Sequence, residues 1–198
     1  GMILLKRLSD AIADGDPIQG VIVGTALNQD GHTNGISLPS PEAQARLVKD
    51  ACVDAGIEPT QIGFVEAHGT GTAVGDPIEA HALAEALCGE RKEEAPLPIG
   101  SVKTNLGHLE TAAGIAGLLK AMLVLKHGQI PASLHFKTPS PHIDFKGLKL
   151  RVPTALEPFP RTNGERFVGV NSFGFGGANA HVILGEAPAP ARTSRPVS

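Results

Sequence analysis

The chain has 198 residues, of which 41% are hydrophobic, so one large domain or two small ones with a buried core are expected and wholesale disorder is excluded. Its formal net charge of −3 argues against a general nucleic-acid-binding or membrane-surface protein. Aromatic residues amount to 4% and are all phenylalanine, which removes the stacking platform used by proteins that bind single-stranded nucleic acid.

The cysteines and the apolar runs indicate the compartment. Cys52 and Cys88 have no CxxC motif and no neighbouring histidine pair, which favours a reducing cytosol over a disulfide framework or a zinc site. No run reaches the roughly 18 apolar residues needed to cross a bilayer. The short apolar run before Lys6 and Arg7 does not resemble a signal peptide. We therefore expect a cytoplasmic protein with no membrane segment and no nucleic-acid partner.

The amino-terminal segment predicts two strands around a helical turn. Met2–Leu8 predicts a strand, and Ser9–Asp14 predicts a single turn of helix. The β-branched run Ile18–Ala26 predicts a buried strand. Asn28–Pro39 is polar and rich in glycine, which is typical of a loop.

Two helices follow, each with a recognisable start. Ser40 provides an N-cap for a helix that ends at Gly56. After a short strand at Ile62–Ala67, Asp76–Glu79 (DPIE) has the form of a capping box with proline at the first helical position. It predicts a helix that continues to about Leu87.

The rest of the chain alternates short strands with one long helix. Thr111–His127 is apolar nearly all round, so we expect a buried helix, and Gly114 and Gly117 would let a neighbour approach closely. The strands are predicted at Ile99–Val102, Leu148–Val152, Phe167–Phe173 and Ala180–Leu184. This order indicates an α/β layered fold in which helices cover a mixed sheet. The segment from Ala187 onward predicts a linker or tail.

Two of the strands are followed by loops of the same kind. His68 opens a Gly/Thr-rich loop after strand Ile62–Ala67, and Lys103 and His108 lie in the loop after strand Ile99–Val102. Because the carboxyl ends of parallel strands meet at one edge of a sheet, where α/β proteins bind ligands, we expect the two histidines to lie together. Two imidazoles there could donate hydrogen bonds to a developing oxyanion or enolate. The residues alone leave open that either histidine is a hydrogen-bonded core residue.

A third segment, Asn171–His181, is a glycine-rich turn between two strands. It is compatible with a tight hairpin whose phenylalanine packs in the core. It is also compatible with a backbone N–H presented to a substrate oxygen, with a phenylalanine as a gate. Spacing alone favours the hairpin.

The three segments together resemble the ketosynthase domains of type I modular polyketide synthases, in the thiolase-like β-ketoacyl synthase family. The resemblance is carried by Val65–Ala80 (VEAHGTGTAVGDPIEA), Lys103–Gly114 (KTNLGHLETAAG) and Asn171–Leu184 (NSFGFGGANAHVIL). It implies a thiolase-like layered fold, with mixed sheets and a buried helix layer. It also implies an acyltransferase activity: decarboxylative Claisen condensation of an acyl-cysteine with a malonyl-type extender carried on phosphopantetheine.

The resemblance assigns roles to matching residues. His68 and His108 would polarise the extender carbonyl and promote decarboxylation, and Lys103 would support and tune the second histidine. The other assignments are a phosphopantetheine contact for Thr70 and Thr72, half of an oxyanion hole and a gate for Phe175, and a place beside His108 or a helix cap for Glu110. No metal and no cofactor bound by the chain itself are expected, because the remaining histidines lack ligand spacing (His32, His81, His127, His135, His142, His181).

The family's nucleophilic cysteine belongs to a TACSSS-like segment that this chain lacks. Cys52 and Cys88 lie on predicted helices away from any helix N-terminus, so we interpret both as structural. The chain is therefore interpreted as the carboxyl-terminal half of a ketosynthase (residues 40–186), preceded by the last strands of the amino-terminal half (1–39) and followed by the start of a linker (187–198).

This interpretation implies partners and leaves alternatives open. The partners would be the missing amino-terminal half, an acyl carrier protein, an adjacent acyltransferase domain and a second copy of the complete domain. Alone, the chain would be inactive in condensation and ordered only beside its missing half or in a compensating oligomer.

The competing hypothesis is a non-catalytic structural or carrier-protein-binding half. A degradative thiolase is disfavoured because Phe173–Ala178 holds no cysteine, and a phosphate-binding enzyme because no Lys-Ser/Thr follows the glycines after His68.

Overall fold

A six-stranded mixed sheet organises the protein, which we describe from a computed structural model at residues 1–33, 35 and 38–188. The strands are β1 Val21–Gln29, β2 Ile62–Glu66, β3 Leu97–Gly100, β4 Gln129–Ile130, β5 Leu150–Arg151, β6 Glu157–Pro158, β7 Phe167–Phe173 and β8 Ala178–Gly185. The helices are α1 Leu8–Asp14, α2 Pro41–Ala55, α3 Gly75–Leu87, α4 Lys103–Leu106 and α5 Ala113–His127, with short 3-10 turns at Pro59–Gln61 and Glu110–Ala112.

The strand order is β1-β8-β7-β2-β3-β5, and β4 and β6 form a separate antiparallel pair. Strands β7, β2, β3 and β5 run parallel to one another, whereas β8 is antiparallel to both of its neighbours. The carboxyl ends of β2 and β3 therefore lie side by side, and the chain leaves both toward the same edge of the sheet.

Each face of the sheet carries its own core. Phe64 and Val65 are neighbours on β2 but belong to different buried clusters, as do Ile183 and Leu184 on β8. Because successive strand residues point to opposite faces, the two clusters lie on opposite sides of the sheet. One cluster includes residues of α2 and α3, and the other includes residues of α5.

The boundaries of α2 follow the predicted signals. The Ser40 hydroxyl accepts a hydrogen bond from the Ala43 N–H at 3.1 Å, and Gly56 ends the helix in the left-handed conformation with φ 65°. The predicted strands Ile62–Ala67, Ile99–Val102, Leu148–Val152, Phe167–Phe173 and Ala180–Leu184 are also present, with ends that move by at most two residues. These local predictions are confirmed.

Three local predictions are wrong. Residues 1–7 form no strand, because no strand of the described residues pairs with them, and Met2 is 93% exposed. Helix α3 begins at Gly75 without a side-chain cap, because Asp76 and Glu79 bind loop N–H groups elsewhere. Helix α5 is not buried on all sides, since Leu123 is 48% exposed.

Strand β1 pairs with β8 over almost its whole length, so it lies in the same sheet as the elements that follow it. The domain boundary expected at residue 39 stays a prediction, as does the linker expected from 187, most of which lies outside the described residues. The close approach expected at Gly117 is confirmed: a Cβ added there would lie 3.2 Å from Cγ of Glu66.

Candidate active site

The two histidines of the matched loops meet at the edge of the sheet. His68 follows β2 and His108 follows α4, the short helix after β3. Their ring centroids are 5.5 Å apart and their planes are nearly perpendicular, at 82°. His68 is half-buried and His108 is exposed. The parallel pairing of β2 with β3 brings together residues that are 40 positions apart in the sequence.

Backbone N–H groups select the tautomer of both rings. The N–H of Phe173 donates to Nδ1 of His68 at 3.3 Å, and the N–H of Glu110 donates to Nδ1 of His108 at 2.9 Å. A ring nitrogen that accepts a hydrogen bond carries no proton, so each neutral imidazole has its hydrogen on Nε2. Both rings therefore present an Nε2–H donor.

His68 stays neutral at physiological pH. Burial lowers the pKa of His68 to about 4, and the positive charges that Lys103 and His108 can carry act in the same direction. A neutral ring is a hydrogen-bond donor whose strength does not change with pH above that value.

Lys103 contacts the first histidine loop. Its ammonium donates to the backbone carbonyl of His68 at 2.5 Å. Burial lowers the pKa of Lys103, an effect that nearby carboxylates oppose (Glu79, Glu66, Asp76). Within the described residues, Lys103 makes no hydrogen bond to His108 and instead fixes the main chain at His68, and its expected support of the second histidine stays a prediction.

A buried carboxylate missed in the sequence anchors the same loop. The two oxygens of Glu79 accept hydrogen bonds from the N–H groups of His68 and Gly69, at 2.7 and 2.8 Å. The Asn171 amide donates to Oε1 at 2.8 Å. Burial raises the pKa of Glu79, which these hydrogen bonds oppose. Glu79 lies three residues after Asp76, a spacing that fits a capping box, and so the sequence did not indicate its contact with the His68 loop eleven residues earlier.

His181 extends this network from β8. Its Nδ1 lies 2.5 Å from Oδ1 of Asn171, and burial lowers the pKa of His181 to about 3. The neutral ring therefore donates through Nδ1–H and orients the Asn171 amide toward Glu79. His181 is thus a buried residue that packs in the core and also makes a hydrogen bond.

Thr70 and Thr72 lie in the loop after His68. Their hydroxyl oxygens are 3.3 Å apart, and that of Thr72 accepts the N–H of Gly75 at 3.0 Å. The Gly71 N–H donates to Asp76 at 3.0 Å, so the loop closes onto the start of α3. The expected contact with phosphopantetheine stays a prediction.

Phe175 is exposed, whereas the backbone of Glu110 contacts His108. Phe175 is 76% exposed at the tip of the β7–β8 turn, whereas it is Phe173 whose ring lies 5.5 Å from that of His68. Glu110 reaches His108 through its backbone N–H, and within the described residues its carboxylate forms no ion pair or hydrogen bond. The oxyanion and gate roles of Phe175 stay predictions.

Both cysteines belong to the core on the α2/α3 face. Burial raises the pKa of Cys52 to about 11 and also raises that of Cys88. Both thiols are therefore protonated at neutral pH, which does not suit a nucleophile. Among the described residues, no group of histidines, cysteines and carboxylates could hold a metal ion, and no helix is long and apolar enough to cross a membrane.

Comparison with known proteins connects this site to a family. Residues 19–137 match the family model described as β-ketoacyl synthase, C-terminal domain. The chain belongs to this family. Residues 139–197 match the ketoacyl-synthetase C-terminal extension. The sequence-based assignment to the carboxyl-terminal region of a polyketide synthase ketosynthase is confirmed.

The relatives are much longer than this chain. It is 50% identical over 200 residues to a phenolphthiocerol/phthiocerol polyketide synthase of Mycobacterium tuberculosis, covering 99% of this chain and 11% of the relative. Among solved structures, it is similar to an oxazolomycin ketosynthase domain of Streptomyces albus, with TM-score 0.88 and 42% identity, over 94% of this chain and 34% of that one. A ketosynthase from module 6 of the Bacillus subtilis bacillaene synthase gives TM-score 0.87 and 44% identity, over 93% and 35%. These similarities confirm the thiolase-like α/β fold.

Proposed function

We propose that this chain supplies the histidines and the lysine for decarboxylative Claisen condensation in a polyketide synthase ketosynthase. The observation that carries the proposal is that His68 and His108 lie together, each with its Nδ1 occupied by a backbone N–H. Two Nε2–H donors at one sheet edge suit an oxygen that gains negative charge.

The reaction then proceeds in two steps. In the malonyl-type thioester, the bond between the α-carbon and the carboxylate breaks and carbon dioxide leaves. The electron pair passes to the thioester oxygen, and the Nε2–H groups of His68 and His108 stabilise the resulting enolate. The enolate carbon then attacks the acyl thioester on a cysteine outside this chain, so that a carbon–carbon bond forms and the thiolate leaves. The Phe175 N–H would help to stabilise the oxyanion of that second step.

Lys103 and Glu79 hold the first donor in place. Lys103 binds the His68 carbonyl and Glu79 binds its N–H, so both backbone polar groups of the histidine are fixed. Preorganised donors stabilise charge without reorganisation during the reaction, and the loss of one such donor costs about a hundredfold to a thousandfold in rate.

The partners follow from this chemistry. The nucleophilic cysteine would come from the amino-terminal half of the domain, and the extender from an acyl carrier protein loaded by an adjacent acyltransferase domain. The 48% exposed Leu123 on α5 supports coverage by such a half, as do the exposed Met2 and Leu4. Two complete domains would form the homodimer, and the free, buried cysteines support a reducing cytoplasmic environment.

The test separates catalysis from a structural or carrier-binding role. Release of carbon dioxide from a carboxyl-labelled malonyl-carrier protein is measured with the complete ketosynthase domain that carries this sequence. We expect His68→Ala and His108→Ala each to slow this release by about a hundredfold or more. The control is His127→Ala, which replaces an exposed histidine at the far end of α5 and should leave the rate unchanged. No release by the unmutated domain would contradict the proposal and favour the non-catalytic alternative.

A further inference from the structure

A buried ion pair lies beneath the loop that carries Lys103 and His108, and the mechanism above does not use it. Glu66 is the last residue of β2 and its side chain is 2% exposed, whereas Lys120 comes from α5 and is 13% exposed. Nζ of Lys120 lies 2.7 Å from Oε2 of Glu66 and 5.4 Å from the centre of the Phe64 ring.

The other carboxylate oxygen binds the start of the second histidine loop. Oε1 of Glu66 accepts the N–H of Val102 at 2.5 Å. Val102 is the residue at which the chain turns from β3 into α4, and Lys103 follows it directly. The carboxylate thus fixes the direction in which the chain leaves the sheet toward His108.

Glycines make room for the pair on two sides. A Cβ added to Gly117 on α5 would lie 3.2 Å from Cγ of Glu66. A Cβ added to Gly100 at the end of β3 would lie 3.3 Å from Nζ of Lys120. The ion pair therefore occupies a closely packed junction of β2, β3 and α5, where a shift of either side chain would move the loop or the helix.

We propose that Glu66 and Lys120 are positioning residues for the His108 loop: Glu66 holds Val102, and Lys120 holds the Glu66 carboxylate in place. This inference rests on the proposed function, because its main readout is decarboxylation. A buried ion pair adds little net stability compared with apolar residues, so a positional role accounts better for its presence than stability does.

The charges around Glu66 give this role a pH signature. Burial raises the pKa of Glu66, and Lys120 opposes this most, followed by the hydrogen bond from the Val102 N–H and then by the charge of Lys103. The residues paired with Glu66 in the neighbouring strands, Gly100 and Val170, carry no charge. Without Lys120, the carboxyl holds its proton to higher pH and accepts the Val102 N–H more weakly. The anchoring should therefore weaken as pH falls and recover as pH rises.

The experiment compares three variants of the complete ketosynthase domain by release of carbon dioxide across about pH 6 to 9. We expect Lys120→Met to lose about tenfold or more at neutral pH and to recover as pH rises, because misplacing a catalytic group by an ångström is costly. Glu66→Gln should lose a similar amount without recovery, since Lys120 is left buried and unpaired. The double variant Glu66→Gln/Lys120→Gln, with two hydrogen-bonding amides, should return to within about threefold of the parent and follow its pH profile.

Matched controls come from the ion pair at the other end of the sheet. Arg166 and Glu186 are 2.7 Å apart with side chains 20% and 24% exposed, and Glu186 also binds Arg161, so Arg166→Met and Glu186→Gln test the loss of a partly buried ion pair away from the histidine loops. Neither of these control variants should change the pH profile of carbon dioxide release. If Lys120→Met does not fold, Lys120→Gln takes its place. Two results would overturn the inference: a Lys120 variant whose pH profile parallels that of the parent, or a double variant as slow as Lys120→Met. An inactive parent would overturn the proposed function instead.

Discussion

The two histidine loops begin alike but are held differently. His68 is half-buried, its main chain is fixed by Glu79 and Lys103, and its ring accepts the Phe173 N–H from a neighbouring strand. His108 is exposed, and among the described residues the hydrogen bond to its ring comes from the N–H of Glu110, two residues along the chain. The first donor thus depends on contacts with residues distant in the sequence. The second depends on local main-chain geometry and, at the base of its loop, on Glu66.

The largest effect should come from breaking the long-range anchor. In Glu79→Ala, the N–H groups of His68 and Gly69 and the Asn171 amide lose a buried acceptor, at about 1–3 kcal/mol for each unsatisfied group. We expect a loss of about a hundredfold in carbon dioxide release and a lower free energy of unfolding. Glu85→Ala, on an exposed position of the same helix, is the control for helix propensity. A rate near that of the parent for Glu79→Ala would show that His68 does not depend on this anchor.

A smaller effect should appear in the pH dependence of stability. Burial lowers the pKa of His181 to about 3 from an ordinary 6.5, so the folded state holds the neutral ring while the unfolded chain takes up a proton below about pH 6.5. The contribution of this residue to the free energy of unfolding is complete above pH 6.5. As pH falls below that value, the free energy of unfolding decreases by about 1.4 kcal/mol per pH unit. In His181→Gln, the free energy of unfolding should fall less steeply between about pH 6 and 4, by the amount that His181 contributes in the parent. Chemical denaturation at a series of pH values measures this slope. His127→Gln, at an exposed site, should leave the slope unchanged. An equal slope in His181→Gln and the parent would contradict the buried neutral ring.

The smallest effect is expected at Glu110. Because only its backbone N–H reaches His108, Glu110→Gln should change the rate of carbon dioxide release by less than about twofold. The measurement is the same assay at neutral pH. A loss as large as that of Glu79→Ala would mean that the Glu110 carboxylate acts on His108 directly, and the contrast between the two loops would fail.

Local signals in the sequence predicted much of the fold. The N-cap at Ser40, the left-handed end at Gly56 and the alternation of strands with helices each depend on neighbouring residues. The meeting of His68 with His108 followed from one general rule, that parallel strands end at the same edge. The resemblance in the three motifs then supplied the family.

The features that the sequence did not predict depend on contacts between residues that are far apart in the chain. The DPIE segment fits a capping box, but burial directs Glu79 to the His68 loop instead. Met2–Leu8 has the composition of a strand, yet a strand forms only beside a partner that accepts its hydrogen bonds. Lys103 reaches the His68 carbonyl because β2 lies next to β3, which spacing along one loop cannot show.

The tautomers of the two imidazoles have an evolutionary consequence. The groups that set them belong to the peptide backbone at Phe173 and Glu110, and every amino acid except proline offers the same group. Substitution at either position therefore leaves the chemical form of the rings intact, provided that the path of the chain is kept. The position of the hydrogen on each imidazole is therefore set by the path of the main chain and not by the side chains at these two positions.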